Sequence, residues 1–182
     1  MEKIRIYPKW LRLSVLVWVI GLFSIGAKGA VDGSIIEDGY LTYVVLSEEE
    51  KTVELKSCDV KYDSWVLSIP ETIVWNDCEY TVISIGREAC ENCNFSVVNL
   101  PSTLKEIEPH AFYYCTSLKK IEIPDGVKTI DVGVFACCWN LASVKLPAGL
   151  EKIQGYAFKE TALTSIEFPA SLTGIGEYAF DD

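Results

Sequence analysis

"IQGYAF" at residues 153–158 and "IGEYAF" at residues 175–180 are nearly the same stretch, repeated 22 residues apart. Their phenylalanines continue upstream as a column with intervals of 23, 23 and 22 residues, and a column of prolines keeps the same intervals. A fixed period of this length predicts a solenoid, because each repeat is one coil that buries its apolar side chains only by stacking on its neighbours. The two columns are Phe112, Phe135, Phe158 and Phe180, and Pro101, Pro124, Pro147 and Pro169.

Four further apolar columns follow the same intervals, so each unit reads L-x-x-I-x-I-P-x-x-L-x-x-I-x-x-x-A-F-x-x-C. Columns that keep their apolar character in every copy predict the residues that face the interior of the coils. They are Val98, Ile121, Val144 and Ile166; Leu100, Ile123, Leu146 and Phe168; Leu104, Val127, Leu150 and Leu172; and Ile107, Ile130, Ile153 and Ile175.

Each unit predicts two short strands and one helical turn. In "KKIEIP" (119–124), Ile121 and Ile123 alternate with charged residues, which is typical of a strand with one buried face. Pro124 ends that strand because it has no N–H for a ladder. "GVKTI" (126–130) predicts a second strand, and segments such as "PHAF" (109–112) predict about one helical turn. Stacked coils would therefore enclose the apolar columns between two narrow parallel sheets.

Two longer stretches, "LKKIEIPDGVKTIDVGVF" (118–135) and "LTSIEFPASLTGIGEYAF" (163–180), resemble the BspA-like leucine-rich repeats of bacterial surface proteins. The resemblance covers residues 95–182, in which the last copy is truncated. It implies a leucine-rich repeat solenoid of short parallel strands with single helical turns, about 23 residues per coil, and an N-terminal β-hairpin cap. It also implies adhesion to host or bacterial partners.

Residues 30–94 predict the N-terminal cap and a first, irregular repeat. Leu67, Ile69 and Pro70 match the start of the regular unit, but nine extra residues separate the proline from the isoleucine column. The insertion "TIVWNDCEYTV" (72–82) alternates around Asn76-Asp77 and predicts a hairpin. Residues 39–46 and 52–55, separated by "SEEEK", predict a second hairpin. In similar family members such hairpins cap the first coil.

Residues 1–29 have the parts of a secretory signal peptide and are set apart from the fold. Four basic residues precede residue 13, Leu13–Gly26 is apolar over 14 residues, and Ala27 and Gly29 supply small residues for cleavage after Gly29. An uncleaved anchor is the alternative, but a membrane span needs about 20 apolar residues. We therefore expect a protein that is secreted or at the cell surface, with no membrane association beyond this segment.

The charge of the remaining chain argues against a polyanionic partner. Five of the 16 basic and one of the 26 acidic residues lie in the first 29 positions, so 11 basic and 25 acidic residues remain, a net charge of −14. Proteins that bind nucleic acids or heparin need clustered cations to displace counterions. No nucleic acid is expected as a ligand.

Seven cysteines invite a metal or disulfide interpretation, and Cys90-x-x-Cys93 has the spacing of half a zinc site. The repeat register favours a different role. Cys93, Cys115 and Cys138 occupy one column, and Cys90 stands in the phenylalanine column. Buried thiols behave as small hydrophobic groups, so we predict four core cysteines and no metal site.

The other three cysteines lie outside this core pattern. Cys137, on the convex side of its coil, is predicted to be more exposed than its neighbour. Cys58 and Cys78 lie outside the regular repeats and are left as a candidate disulfide, because pairing cannot be deduced from spacing.

The sequence offers no catalytic constellation. His110 is the only histidine, and no serine or cysteine nucleophile has a reason to face it. Motifs for phosphate, zinc or calcium binding are missing from the sequence. Carboxylates such as Glu122 and Glu167 on neighbouring coils are typical of a solvent-facing strand. We predict a non-enzymatic protein without a cofactor.

Two surfaces are candidates for binding a protein or glycan at the cell surface. The outward positions of the first sheet form a flat strip of mixed charge, and extended solenoid faces bind partners by area. Aromatic residues in the convex turns form a second patch, although some would only pack over the next coil. The strip comprises Val97, Asn99, Lys120, Glu122, Ser143, Lys145, Ser165 and Glu167, and the turns supply Tyr113, Tyr114, Trp139, Tyr156 and Tyr178.

Two functions are compatible with this sequence. One is a protein-interaction module of adhesion type, and the other is a truncated or purely structural repeat fragment with no ligand of its own. The chain stops inside a repeat, which predicts an uncapped final coil that self-associates or frays over residues 163–182.

Overall fold

The computed structural model describes residues 31–59 and 66–182, and within these ranges the chain forms coils of short β-strands and turns without any helix. The predicted signal peptide, residues 1–29, lies outside the described residues. The strands are β1 (Ile35–Asp38), β2 (Leu41–Ser47), β3 (Thr52–Cys58), β4 (Val66–Ser68), β5 (Thr72–Trp75), β6 (Cys78–Ile85), β7 (Val97–Asn99), β8 (Glu106–Ile107), β9 (Lys120–Glu122), β10 (Thr129–Ile130), β11 (Ser143–Lys145), β12 (Lys152–Ile153) and β13 (Gly174–Ile175).

The first predicted strand of the repeat forms a four-stranded parallel sheet in the order β11-β9-β7-β4. Leu67 lies beside Val98, and Ile121 lies beside Val144 on the inner face, as the columns predicted. The last copy differs, because residues 165–167 are not a strand and, among the described residues, no backbone hydrogen bond joins them to β11.

The strands of the second sheet of the repeat are shorter than the sequence predicted. β10, β12 and β13 pair in parallel through the isoleucine column, but each strand has only two residues. The reason is a turn that begins at each proline: the Val127 N–H donates to the Pro124 carbonyl at 3.1 Å, and Leu150 makes the same bond to Pro147 at 3.1 Å. These turns bring the leucine column into the core and use the residues that would have lengthened the strand.

The segment predicted as a helical turn has a different structure. His110 and Tyr114 have φ values of 61° and 60°, in the left-handed region, so a right-handed helix cannot form across them. Left-handed residues recur in two columns along the coils, four residues apart within each coil. The columns are Glu88, His110, Gly133, Tyr156 and Tyr178, and Asn92, Tyr114, Cys137 and Glu160.

In this geometry, alternate N–H groups donate hydrogen bonds to carbonyls of the next coil. The Phe112 N–H donates to the Val134 carbonyl at 3.0 Å, and the Phe135 N–H donates to the Ala157 carbonyl at 2.8 Å. A left-handed residue other than glycine costs about 1–2 kcal/mol, and an unpaired buried peptide group costs about as much. The inter-coil bonds therefore offset the strain. We call this row of bonds, formed by residues 88–92, 110–114, 133–137, 156–160 and 178–181, the turn ladder.

The phenylalanine column packs inside the turn ladder. Neighbouring rings are stacked, with centroids 5.5 Å apart for Phe112 and Phe135 and 5.4 Å apart for Phe135 and Phe158. Phe158 and Phe180 continue the stack at 5.3 Å. Because each ring covers the one before it, the aromatic core runs along the solenoid axis without interruption.

The hairpin predicted around Asn76-Asp77 is present. β5 and β6 are antiparallel with Trp75 opposite Cys78. Asn76 and Asp77 have φ values of 50° and 60°, as a two-residue hairpin loop of the type I′ class requires.

The second predicted hairpin consists of β2 and β3, which are antiparallel. β1, which was not predicted, extends it by pairing with β2. β3 then pairs in parallel with β6, with Leu55 beside Ile85. β6 in turn pairs in parallel with β8. The hairpins are thus joined to the repeats by the same parallel pairing that joins one coil to the next.

The four cysteines assigned to the core are buried, which confirms the prediction from the register. Cys137 is half-buried. The candidate pair of Cys58 and Cys78 is separated by the sheet, because Thr52 lies beside Thr81 and the two cysteines extend from that point in opposite directions. A separation on the order of 25 Å follows from the strand rise, whereas a disulfide needs Cα atoms within about 7 Å.

Replacing Gly133 by Ala should lower the free energy of unfolding by about 2 kcal/mol. Its φ is 59°, and an added Cβ would lie 2.8 Å from the His110 ring. Gly174→Ala is the matched control, because Gly174 has no left-handed φ and nothing within 4 Å of the added atom. Urea denaturation measures the free energy of unfolding of both variants, and an equal decrease in the two would contradict the ladder geometry.

Replacing Glu54 by Gln should raise the unfolding temperature at neutral pH. Burial, and then the Glu108 carboxylate, raises the pKa of Glu54, and a hydrogen bond from Ser84 only partly opposes this. A raised carboxyl pKa means that the ionised form is destabilised in the folded state, so the penalty is present above the folded pKa and absent below the unfolded one.

The gain from Glu54→Gln should therefore vanish as the pH falls below the ordinary range of a glutamate. Thermal unfolding of the wild type and of Glu54→Gln, from neutral pH to below the ordinary pKa of a glutamate, measures this gain. Glu49→Gln, on the exposed loop, is the control. A gain that persisted in acid would show that charge is not the cause.

Candidate interaction surfaces

The strip predicted on the first sheet exists over three of its four coils. Asn99, Lys120, Glu122, Ser143 and Lys145 are exposed on β7, β9 and β11. Val97 is only partly exposed, and Ser165 and Glu167 are exposed but belong to no strand.

Two residues that the sequence analysis missed extend the strip. Val66 and Ser68 on β4 lie beside Val97 and Asn99 in the parallel register, and both are exposed. The sequence could have predicted both residues, because Leu67 and Ile69 match the inward columns and the residues that alternate with them point outward. With strands about 4.8 Å apart, the strip is roughly 15 Å wide.

Side chains of the strip bond mainly to each other. The Asn99 amide donates to the Ser68 hydroxyl at 2.9 Å. Lys145 and Glu122 form an ion pair whose side chains remain 72% and 67% exposed. The hydrogen bond to Glu122 raises the pKa of Lys145, so this lysine is charged at any physiological pH. An exposed pair of this kind is screened by solvent and contributes little energy.

The aromatic turn residues lie on successive coils and form two groups of contacting rings. The Tyr114 and Trp139 rings meet edge to face with centroids 5.0 Å apart, and the Tyr113 ring lies 5.9 Å from Tyr114. Further along, Tyr156 and Tyr178 stack at 5.4 Å. Trp139 is 51% exposed and Tyr178 is 56% exposed. We call these five residues, together with Cys137, Lys159 and Glu160, the turn patch.

Polar contacts hold the turn patch in place. The Trp139 Nε1 donates to the Glu160 carboxylate at 3.4 Å, and the Cys137 thiol donates to the same oxygen at 3.6 Å. Lys159 lies 3.8 Å from Glu160, and its Nζ is 5.9 Å from the centre of the Tyr156 ring. Glu160 therefore connects the two aromatic groups. Sequence reasoning did not find it, because only the turn ladder brings residues 137, 139 and 160 together.

Cys137 is placed for a structural role and not for nucleophilic chemistry. Burial raises its pKa, the nearby Glu160 carboxylate raises it further, and a hydrogen bond from Tyr113 opposes the change only in part. The thiolate is the reactive form, so the protonated thiol of Cys137 is a weak nucleophile at neutral pH. The hydrogen bond to Cys137 in turn raises the pKa of Tyr113.

His110 packs at the edge of the turn patch. Its ring meets Tyr113 edge to face with centroids 5.6 Å apart and lies over Gly133, where a side chain would collide with it. Its Nδ1 is buried and has no hydrogen-bond partner among the described residues. The ring of His110 thus packs against the Tyr113 ring and the Gly133 backbone.

The last described coil presents apolar side chains on its far side. Phe168 and Ile175 are each 49% exposed, and Leu163, Ile166, Leu172 and Phe180 are partly exposed. A further repeat or a second copy of this chain would cover them. Self-association through residues 163–182 stays a prediction.

Within residues 31–59 and 66–182, no three His, Cys, Asp or Glu side chains are grouped in a way that could hold a metal ion. The same residues contain no helix with the length and hydropathy of a membrane span.

Comparison with known proteins places these features in a family. The family model of the BspA type leucine-rich repeat region, a model of six copies, matches residues 71–182. No curated protein matches the chain.

Several solved structures of leucine-rich repeat proteins are similar to this one, among them the following two. A leucine-rich repeat protein from Bacteroides ovatus is 35% identical with a TM-score of 0.74, and the match covers 80% of this chain and 38% of that protein. The pneumococcal vaccine antigen PcpA is 21% identical with a TM-score of 0.64, covering 82% of this chain and 48% of that protein, and this match supports the fold alone. This chain thus spans less than half of either protein.

The family match extends over more than half of the residues, and the matched range contains the regular coils of the structure: the chain belongs to the BspA type leucine-rich repeat family.

Proposed function

We propose that this chain is a non-catalytic protein-interaction module of adhesion type and that the turn patch makes the main contact. The observation that carries the proposal is the exposure of one aromatic side chain on each of four successive coils, Tyr114, Trp139, Tyr156 and Tyr178. Exposed aromatic residues are enriched in the centres of protein interfaces, where they dominate the binding energy.

The strip is the weaker candidate on energetic grounds. Two of its charged side chains, Lys145 and Glu122, are already paired with each other and remain well hydrated. A partner that bound there would have to remove water from these groups and would gain little from an exposed pair. Burying an aromatic ring of the turn patch instead removes apolar surface from water, which is favourable at about 25 cal/mol per Å².

The turn patch is also preorganised. Trp139 is fixed by its bond to Glu160 and by its contact with the Tyr114 ring. Ordering a flexible side chain on binding costs about 0.5–1.5 kcal/mol, and much of this cost is already met in the free protein. Fixed aromatic side chains on a rigid ladder are therefore suited to a protein or glycan surface.

The hairpins β2–β3 and β5–β6 fit the role of an N-terminal cap in this proposal. β3 covers the edge of β6, which would otherwise be open to pairing with another chain. The signal peptide predicted at residues 1–29 supports a secreted or cell-surface location.

Binding of the fluorescently labelled chain from residue 30 to immobilised mucins, extracellular-matrix glycoproteins and bacterial cell walls tests the proposal. Tyr114→Ala combined with Trp139→Ala should weaken binding to whichever surface retains the wild-type chain by about tenfold or more, because truncating two interface aromatics costs more than about 1.4 kcal/mol.

The matched control is Glu122→Ala combined with Lys145→Ala on the strip, which should change binding by less than about threefold. Both variants need unchanged unfolding curves. If the strip variant loses binding while the patch variant keeps it, the assignment of the surface is wrong. If the wild-type chain binds none of the surfaces, a structural repeat without its own ligand is the better description.

A further inference from the structure

Strand β3 ends against the first turn of the solenoid, and two hydrogen bonds fix the contact. The Cys58 N–H donates to the Ala89 carbonyl at 2.7 Å, as each coil of the turn ladder donates to the next. The Cys93 thiol donates to the Cys58 carbonyl at 3.5 Å. Cys58 is therefore held beside residues 89–93 by its own backbone.

The side chain of Cys58 points toward the core at this contact. Cys58 lies opposite the buried Leu41 and packs against the core. The Cys90 thiol is fully buried. The Cys58 N–H bonds to Ala89 at 2.7 Å as the Cys90 N–H bonds to Ala111 at 2.8 Å, so Cys58 and Cys90 occupy equivalent, neighbouring positions of the ladder. Neighbouring backbones of a ladder lie about 4.8 Å apart, within the range of 4.4–6.8 Å that a disulfide requires between Cα atoms.

The other core thiols are engaged differently. Cys115 donates to the Cys90 carbonyl at 3.0 Å, and Cys138 donates to the Phe112 carbonyl at 3.2 Å. Both are fully buried, whereas Cys58 is only half-buried. An oxidant arriving from solvent therefore has access to Cys58 and not to the interior column.

We propose that Cys58 and Cys90 are a redox pair that closes to a disulfide in an oxidising compartment and fastens the β2–β3 hairpin to the repeats. The oxidant is a disulfide, either of a small thiol or of a thiol oxidoreductase. The Cys58 thiolate attacks it and forms a mixed disulfide, and one carrier thiol leaves. The Cys90 thiolate then attacks the Cys58 sulfur and releases the second carrier thiol, so two electrons and two protons pass from the pair to the oxidant.

Closing the bond has a mechanical consequence. The β2–β3 hairpin contacts the first coil through parallel pairing of β3 with β6 and through the Cys58–Ala89 bond. A covalent link at the far end of β3 would remove unfolded states in which this hairpin separates from the repeats. The two units would then unfold together.

Oxidised glutathione added to the purified chain from residue 30 tests the pair. Intact mass should fall by two hydrogens after glutathione is removed, and peptide mapping without reductant should find Cys58 linked to Cys90. The unfolding temperature should rise by about 5–10 °C and return when reductant is added.

Cys58→Ser should abolish both the link and the temperature shift. Cys78→Ser is the matched control, because Cys78 is equally half-buried but lies at the opposite end of the hairpin sheet, and it should behave as the wild type. Cys90→Ala gives a second check on the partner. If that variant does not fold, the Cys58→Ser result still decides.

Three results would overturn the proposal. The first is that all thiols still react after oxidation and denaturation. The second is a disulfide from Cys58 to Cys93 or Cys78, and the third is the loss of two thiols on oxidation of the Cys58→Ser variant.

Discussion

The structure depends on inter-coil backbone hydrogen bonding in the turns. Every second N–H of residues 110–114 bonds to the next coil, and the same holds for the equivalent residues of the other coils. This pattern is possible only because two residues in each turn take left-handed φ values, including bulky ones such as Tyr114 and Tyr156. Their strain persists because relaxing one turn would leave peptide groups of two coils without partners.

The turn ladder also decides what the protein presents to solvent. It sets side chains of successive coils at a constant spacing, so rings 22 or 23 residues apart in sequence stack in space, as Phe135 and Phe158 do inside and Tyr156 and Tyr178 do outside. The interior stack supplies apolar burial. The exterior one leaves aromatic surface without a partner within the described residues, which is the property expected of a binding face.

The N-terminal hairpins continue the same principle. The Cys58 N–H donates to the carbonyl of Ala89. The last residue of β3 therefore makes the hydrogen bond that a preceding coil would make. Parallel pairing of β3 with β6 does the same for the sheet. In an oxidising compartment, a disulfide at Cys58 would convert this non-covalent junction into a covalent one.

The sequence by itself determined the coil period, the apolar columns, both hairpins and the burial of Cys90, Cys93, Cys115 and Cys138, because these follow from local alternation and from identity at a fixed spacing. It did not determine the turns. "PHAF" (109–112) has the composition of a helical turn, and only stacking makes an N–H to the next coil more favourable than one within the turn. Tertiary structure likewise decided that Glu160 connects Trp139 with Cys137 and that Cys58 occupies the ladder position next to Cys90, far from Cys78. Such contacts join coils far apart in sequence, and no local pattern encodes them.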